Sequence, residues 1–407
     1  MKHQHSKTSV SDALSFLDSQ LAARKPDTEE ISVLAANDRV LAESVFSEVN
    51  IPSFRRSMMD GFAVCSADVA ESQSAAVILA IAGESFPGRE WQGTLRSGQA
   101  VRIMTGAPVP EQADAVIPIE LVTVQGCSVT VSQPIPPGKN VARPGEDIDE
   151  GDIVAVAGRR LRPQDVGLLA SIGCSRLNVV SRPRVGLVIT GNELLPAGTR
   201  PTGHRIADSN GPMLAALVER DGGTVIRDGL TPDTPAAIRD ALSDALQGRA
   251  DILLVSGGSS AGDEDYAPDI IQELGELPIH GIAIRPGAPA GLGRAGRCLV
   301  FLLPGNPVAC LFAYDLFAGR AVRTLAGRQS QWPYRTVSAV LESTLRSARG
   351  RTDYARIRLA ESQAIPIAVS GSSVLSSTTK ADGFLLIPAD VEELPAGAVV
   401  QVWLYGN

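Results

Sequence analysis

A multidomain chain joining one α/β domain to flanking β domains is the fold class read from three features. Apolar strands alternate with helices from Arg184 to Leu325. Short β-prone runs separated by Gly, Pro and Ser turns fill the stretch from about Val45 to Pro144, and the same texture returns beyond Trp332. A length of 407 residues suggests two to four domains, at roughly 150 residues each.

In chain order, Val10, Ala13, Leu14, Leu17 and Leu21 recur at helical spacing, with Ser9 or Ser11 as the cap and an end before Pro26. Ala75–Ala82, Ala100–Met104, Ala115–Ile119 and Val129–Val131 are predicted strands, and Gln125-Gly126 a hairpin turn. Ile153–Val156 reads as a strand and Pro163–Ile172 as a helix stopped by Gly173. Val185–Thr190, Thr224–Arg227, Asp251–Ser256, Ile279–Ile284 and Cys298–Leu303 are strands of an expected parallel sheet. The helices between and after them carry Met213, Leu214, Leu217 and Val218, then cover Pro235–Leu246, Tyr266–Leu274 and Val308–Leu325. Beyond Trp332, strands are predicted at Val337–Leu341, Tyr354–Leu359, Ala364–Val369, Phe384–Ile387 and Val399–Trp403.

Composition narrows the function. A net charge of -8 argues against a general nucleic-acid binder, which needs a basic face, but leaves room for a local anion site. Five cysteines without a CxxC and four histidines without zinc spacing argue against a disulfide framework or structural zinc. The first ten residues lack an apolar core, and runs such as Cys298–Leu303 are too short to span a bilayer. A cytoplasmic protein with no membrane or nucleic-acid partner is the expectation.

Two short motifs compete for attention. Gly291-Leu292-Gly293-Arg294-Ala295-Gly296 matches the dinucleotide pattern, but a strand follows it where the pattern needs a helix, so a Gly-rich turn between strands is the preferred reading. Gly258-Ser259-Ser260-Ala261-Gly262 matches a nucleophile elbow and does stand between strand and helix. Its triad partners are missing: His280 is the only later histidine and His204 lies upstream. An anion-binding turn is the better reading of it.

The C-terminal ends of the predicted parallel strands gather four turns, where α/β sheets bind ligands. These are Thr190-Gly191-Asn192-Glu193, Asp208-Ser209-Asn210, Ser256–Asp265 and Leu303-Pro304-Gly305-Asn306-Pro307. Backbone N–H groups, hydroxyls and carboxylates together fit a phosphorylated ligand with Mg²⁺. Each carboxylate alone has a simpler reading; Asp208 and Asp263 precede helices and suit N-caps.

On Ser57-Met58-Met59-Asp60-Gly61-Phe62-Ala63, Arg102 through Pro108, Pro144 through Ile148, Ser256-Gly257-Gly258, Gly262 through Tyr266 and Leu303 through Pro307, the chain resembles the MoeA/gephyrin family of molybdenum insertases over nearly its whole length. The resemblance implies an elongated, four-domain homodimer. Residues 1–44 with 145–181 would form the N-terminal domain, 45–144 an inserted β domain, 182–328 a three-layer α/β domain that binds molybdopterin, and 329–407 a C-terminal β barrel. It implies Mg²⁺-dependent insertion of molybdate into adenylated molybdopterin with release of AMP. The cleft would lie between the α/β domain of one subunit and the β domain of the other. Asp60, Asp147, Glu193, Asp233 and Asp265 take catalytic roles by that likeness, with Glu193 and Asp265 also as Mg²⁺ ligands. Thr105, Thr190, Ser256, Gly257, Gly258, Ser260, Arg285, Pro304, Gly305, Asn306 and Pro307 take substrate-binding roles. Transient contact with other molybdenum-cofactor proteins is a further implication.

Three departures from the family pattern stand out. Its usual Lys-Pro-Gly-Lys-Pro reads Arg285-Pro286-Gly287-Ala288-Pro289 here, its Thr-Gly-Asp-Glu reads Thr190-Gly191-Asn192-Glu193, and its Phe-Asp-Asn-Ser reads Phe54-Arg55-Arg56-Ser57. The lost lysine raises a second expectation, a non-catalytic molybdopterin-binding or scaffold paralogue, since gephyrin-like proteins also serve as scaffolds. It also raises the expectation that Arg55 and Arg56 supply the missing counter-charge from the partner subunit.

Overall fold

A computed structural model describes residues 7–258 and 266–406. The chain forms two compact units: Glu30–Asn178 is one, and the remaining described residues are the other.

The Glu30–Asn178 unit is built on a six-stranded sheet in the order Ala115–Pro118, Gly61–Val64, Gln99–Ile103, Val77–Ser85, Ser128–Val131, Val122–Gln125. The hairpin turn at Gln125-Gly126 is present, with Gly126 at φ 59. Phe62, Val64, Leu79, Ile117 and Val129 pack one face, and Ala63, Val101, Ile103 and Val116 the other. This is the period-2 alternation expected of strands. The helix Pro163–Ser171 also lies in this unit.

The other unit contains a sheet whose parallel strands run Thr224–Arg227, Arg184–Thr190, Ile252–Ser256, Cys298–Leu303. Leu187 and Ile189 face one layer with Leu214 and Phe312, while Val188 faces the other with Ile238 and Leu242. Near-continuous apolar strands therefore become a sheet buried on both faces. Local caps set the helices. Ser9 Oγ accepts from Asp12 N at 3.1 Å to start Val10–Ala22, and Thr234 Oγ1 accepts from Ala237 N at 3.3 Å to start Pro235–Gln247. Gly222, at φ 97, ends Asn210–Asp221 in the left-handed region that glycine tolerates.

Three details differ from the sequence reading. The sheet is mixed: Gly291–Ala295 is a strand rather than a turn, antiparallel to Cys298–Leu303, and Glu276–His280 follows it at the edge. The predicted strand Ile279–Ile284 is split at Gly281, whose φ is 94. Its far end, Ile284–Arg285, leaves this sheet and pairs with Thr352 and Asp353. The long C-terminal helix widens into a π-helical turn over Tyr314–Ala318, which buries Tyr314 and Asp315 together.

The C-terminal strands close into a barrel in the order Thr352–Ala360, Gln363–Ala368, Thr336–Leu341, Val399–Leu404, Gly383–Ile387, and back to Thr352–Ala360. Trp332, Tyr334, Phe384, Trp403 and Tyr405 cluster where the barrel meets the helices of the α/β layer. Beneath them an ionic network ties the regions together. Arg220 bonds Asp221 and Asp315, Arg323 bonds Asp221, and Tyr334 donates to Asp315 at 2.8 Å. Among the described residues no helix is long and apolar enough to cross a membrane.

Candidate functional site

The helix after Arg184–Thr190 leads to one neighbouring strand, and the chain then crosses to Ile252–Ser256 on the other side. Between those two strands the connections diverge, which leaves a crevice beyond their carboxyl ends. Three strand ends meet there. A Cβ on Gly257 would lie 2.2 Å from the carbonyl oxygen of Thr190, and one on Gly305 would lie 3.5 Å from Cα of Gly257. Glycine at 257 is thus required by close approach as well as by its φ of 99.

Asn210 stitches this rim. Its Nδ2 donates to Ser256 Oγ at 2.9 Å and to the Gly305 carbonyl at 2.7 Å. Its Oδ1 is buried without a hydrogen-bond partner, as are Thr190 Oγ1 and Thr231 Oγ1. Buried polar atoms are rarely left unpaired, so such a set suits a polar ligand or bound water. Asp208 Oδ1 accepts from Asn210 N at 2.9 Å and Gly211 N at 3.0 Å, which is the simple capping role. Asn192 Oδ1 accepts from Asp233 N at 3.3 Å, so asparagine keeps an acceptor where the family has aspartate. Glu193 is exposed beside this turn.

Next to the rim lies an open cleft of about 610 Å³. Its walls are the Arg285–Pro289 loop, the Pro304-Gly305-Asn306 turn, and the barrel loops Ala348–Arg351 and Ser370–Ser372. Lys7, Arg285, Arg349 and Arg351 line it, with no carboxylate among its lining residues. Asp353, fully buried, organises two of these cations from behind. It pairs with Arg285 and accepts from Arg351 Nε at 3.0 Å and Ser347 Oγ at 2.9 Å. Arg285 Nε remains buried and unpartnered. The pairing of Ile284–Arg285 with the barrel strand delivers Arg285 to that carboxylate. Sequence reasoning missed Lys7, Arg349 and Arg351, because only the fold brings them together; the Arg349-Gly350-Arg351 pair was the one local signal.

The other expected site residues fall elsewhere. Asp60 and Thr105 meet in the Glu30–Asn178 unit, where Asp60 Oδ1 accepts from Thr105 N and Thr105 Oγ1, both at 2.7 Å. The backbone bond, then the hydroxyl bond, holds the Asp60 carboxyl below its usual range. Asp147 is exposed in the same unit, its N bonded to the Ile51 carbonyl at 3.0 Å. Arg55 donates to the carbonyls of Glu111 and Ala113, while Arg56 is exposed on a short strand paired with Val141–Ala142. Ser260 and Asp265 lie outside the described residues. Pro304 and Pro307 bracket the rim turn, and Pro307 opens the helix Pro307–Ala313.

The rival motifs find no support in this geometry. The dinucleotide pattern is a strand with no helix after it. His280 ends a strand two positions across the sheet from Cys298–Leu303, away from the Ser256 turn.

Three family models cover most of the chain: the MoeA N-terminal region (domain I and II) matches residues 8–173, a probable molybdopterin binding domain 186–324, and the MoeA C-terminal region (domain IV) 338–405. The chain is 34% identical to a molybdopterin molybdenumtransferase of Haemophilus influenzae, over 92% of this chain and 93% of that one. It is 31% identical to the molybdopterin molybdenumtransferase of Bacillus subtilis, over 94% and 90%. A crystal structure of the molybdopterin biosynthesis MoeA protein from Pyrococcus horikoshii superposes with a TM-score of 0.79 at 31% identity, covering 98% of this chain and all of that one.

Proposed function

The chain belongs to the MoeA family and acts in molybdenum cofactor biosynthesis as a molybdopterin molybdenumtransferase; we propose that it inserts molybdate into adenylated molybdopterin with release of AMP. The observation that carries the detail is the pairing of two unlike features in one unit. A rim with unpaired buried hydroxyl and amide groups suits a pterin and its phosphate, and an adjoining cleft lined by cations suits a dianion.

The residues have separable tasks. Thr190, Thr231 and Asn210 offer polar atoms to the pterin, while the Ser256-Gly257-Gly258 and Pro304-Gly305-Asn306-Pro307 turns bring backbone close to it. Arg285, with its unpaired Nε, and Arg349, Arg351 and Lys7 hold the oxyanion. A fixed guanidinium loses little freedom when it binds, so the Asp353 clamp favours binding by pre-orientation. The described residues hold no group of three or more metal-ligating side chains. Mg²⁺ takes one or two carboxylates and completes its shell from ligand phosphates and water. Glu193 with Asp265 would hold it, and it would polarise the phosphoanhydride.

The lost family lysine does not empty the cleft of charge, since Lys7, Arg349 and Arg351 stand around Ala288. That favours the enzyme over the scaffold reading. Arg55 is engaged with carbonyls of its own unit, which favours a structural role for it over a counter-charge role. A cytoplasmic homodimer of four-domain subunits completes the proposal, with transient transfer of the product to proteins that use it. Exposed Phe46, Ile153 and Val156, with Phe46 and Ile153 paired across two strands, supply an apolar face suited to self-association. The test is AMP release from adenylated molybdopterin on addition of molybdate and Mg²⁺, in the wild type and in Arg349→Ala/Arg351→Ala. Release that is independent of molybdate, or equal in both proteins, would refute the cleft assignment.

A further inference from the structure

The opposite edge of the α/β sheet carries a second cationic cavity, of about 840 Å³. It is formed at the amino ends of three parallel strands: Arg184 opens one, Asp251 precedes the next, and Cys298 opens the third. Strands of five to seven residues set it about 20 Å from the pterin rim. Six cations line it, Arg24, Lys25, Arg182, Arg184, Arg249 and Arg297, against two carboxylates, Asp27 and Asp251. This concentration occurs on a chain whose net charge is -8.

Many arginines elsewhere in this protein pair with a carboxylate, as in Arg102–Glu84, Arg239–Glu273 and Arg320–Asp18. Around the cavity they do not. Lys25, Arg182, Arg184, Arg249 and Arg297 make no side-chain ion pair among the described residues, although two carboxylates stand within the same walls. Asp251 instead accepts from the backbone N of Arg184 at 2.8 Å. Arg24 is half-buried and donates to the carbonyl of Arg297, so it props the cavity wall. Burial first, then the nearby Arg297 and Arg294 charges, lowers its pKa despite the opposing pull of Cys298 and Asp251.

Backbone geometry gives a second indication. Arg249 sits at φ 57, in the left-handed region, just after the helix Pro235–Gln247. Glycine is the residue that this position ordinarily prefers. Here glycine occupies 248, with φ -64, and the arginine takes the unfavourable conformation. This left-handed position thus carries a cation that lines the cavity.

We propose that this cavity is a binding site for a multiply charged phosphate anion of pyrophosphate to nucleoside-polyphosphate size, separate from the pterin rim. The volume is that of a small-molecule site rather than a macromolecular face. Unpaired guanidinium groups spaced around it match several phosphate oxygens at once. Leu246, Leu274 and Leu325 supply an apolar wall for whatever the phosphates are attached to.

The probes are inorganic pyrophosphate and Mg²⁺-free ATP, titrated calorimetrically into the full-length protein. Wild type and Lys7→Ala/Arg349→Ala, which weakens the rim cleft, are compared with each background carrying Arg182→Ala/Arg249→Gly/Arg297→Ala. Arg249→Gly relieves the backbone, so the variant is expected to keep its thermal midpoint. Loss of three charge-assisted contacts should weaken binding at least about tenfold in both backgrounds. ATP binding tighter than pyrophosphate would identify a nucleotide source, and equal affinities a bare phosphate chain. Unchanged affinity in the triple variant, no binding at millimolar probe, or binding abolished by Lys7→Ala/Arg349→Ala alone would overturn the proposal.

Discussion

The two cationic clefts of the unit that carries the α/β sheet hold their charges in different ways. At the rim, buried Asp353 grips Arg285 and Arg351, so two guanidinium groups are placed before any ligand arrives. At the opposite edge, among the described residues, the side chains of these cations have no such anchor, and only that of Arg24 is tied, to a carbonyl. Burying a carboxylate has a desolvation cost that only good geometry offsets. The fold meets that cost at the rim, where the proposed chemistry would need fixed orientation, and not at the far edge, where an adaptable set of charges would suffice for the proposed binding. The proposed reacting site is thus distinguished by the rigid placement of its cations and not by their number, since the far cavity has more of them.

The largest expected effect breaks the rim anchor. Asp353→Ala leaves two cations side by side without their carboxylate. Both are about one-third exposed, so solvent reduces the penalty to about 2–3 kcal/mol, below that of a fully buried pair. A fall in the urea midpoint, together with weaker molybdate binding, checks it. Gly257→Ala comes next. Its Cβ would meet the Thr190 carbonyl at 2.2 Å and its φ of 99 disfavours alanine, so a loss of about 1–2 kcal/mol is expected. Turnover should fall with it, because the rim turn must shift.

Arg55→Ala sharpens the question of where the rim obtains its charge. It removes hydrogen bonds to two carbonyls of its own unit, at a cost of about 1 kcal/mol. Molybdate affinity should stay at the wild-type value, and a marked drop would restore the counter-charge role. The smallest effect concerns thiols, one beneath each cleft: Cys310 near Ser256 Oγ, and Cys298 in the far cavity wall. Burial pushes both up to about 12. Raised thiol values favour the neutral form, so their contribution to stability is full below the unfolded value of about 8.5 and is lost as pH rises through the folded one. Iodoacetamide at pH 8 should label exposed Cys127 and leave Cys298 and Cys310 unmodified until denaturant is added. Labelling of Cys298 alone would show that the far cavity opens more readily than the rim.

Much of this arrangement was legible in the sequence. Apolar runs at Val185–Thr190, Asp251–Ser256 and Cys298–Leu303 located the sheet, and the turns after them located the rim. Gly291–Ala295 was illegible as a strand because glycine carries no pattern. Its glycines serve close approach: a Cβ on Gly293 would lie 2.2 Å from the Glu276 carbonyl. The π-helical turn at Tyr314–Ala318 was hidden for a different reason. Its cause is the buried network of Tyr314, Asp315, Asp221 and Arg220, which joins residues about a hundred positions apart. The rim cations Lys7, Arg285, Arg349 and Arg351 are likewise scattered, and no local window contains them. Arg55 showed the converse, a conspicuous motif whose charge the fold uses for its own backbone.

The aromatic cluster at the barrel seam makes this protein its own optical reporter. Trp332 and Trp403 stand 5.3 Å apart at 84°, and Phe384 stacks on Trp403 at 5.6 Å. The third tryptophan, Trp91, belongs to the other unit. Two coupled indoles in a fixed asymmetric frame give a strong near-ultraviolet dichroic signal. That signal therefore reports the seam, so the melting of the unit that carries it can be followed spectroscopically without attaching a probe.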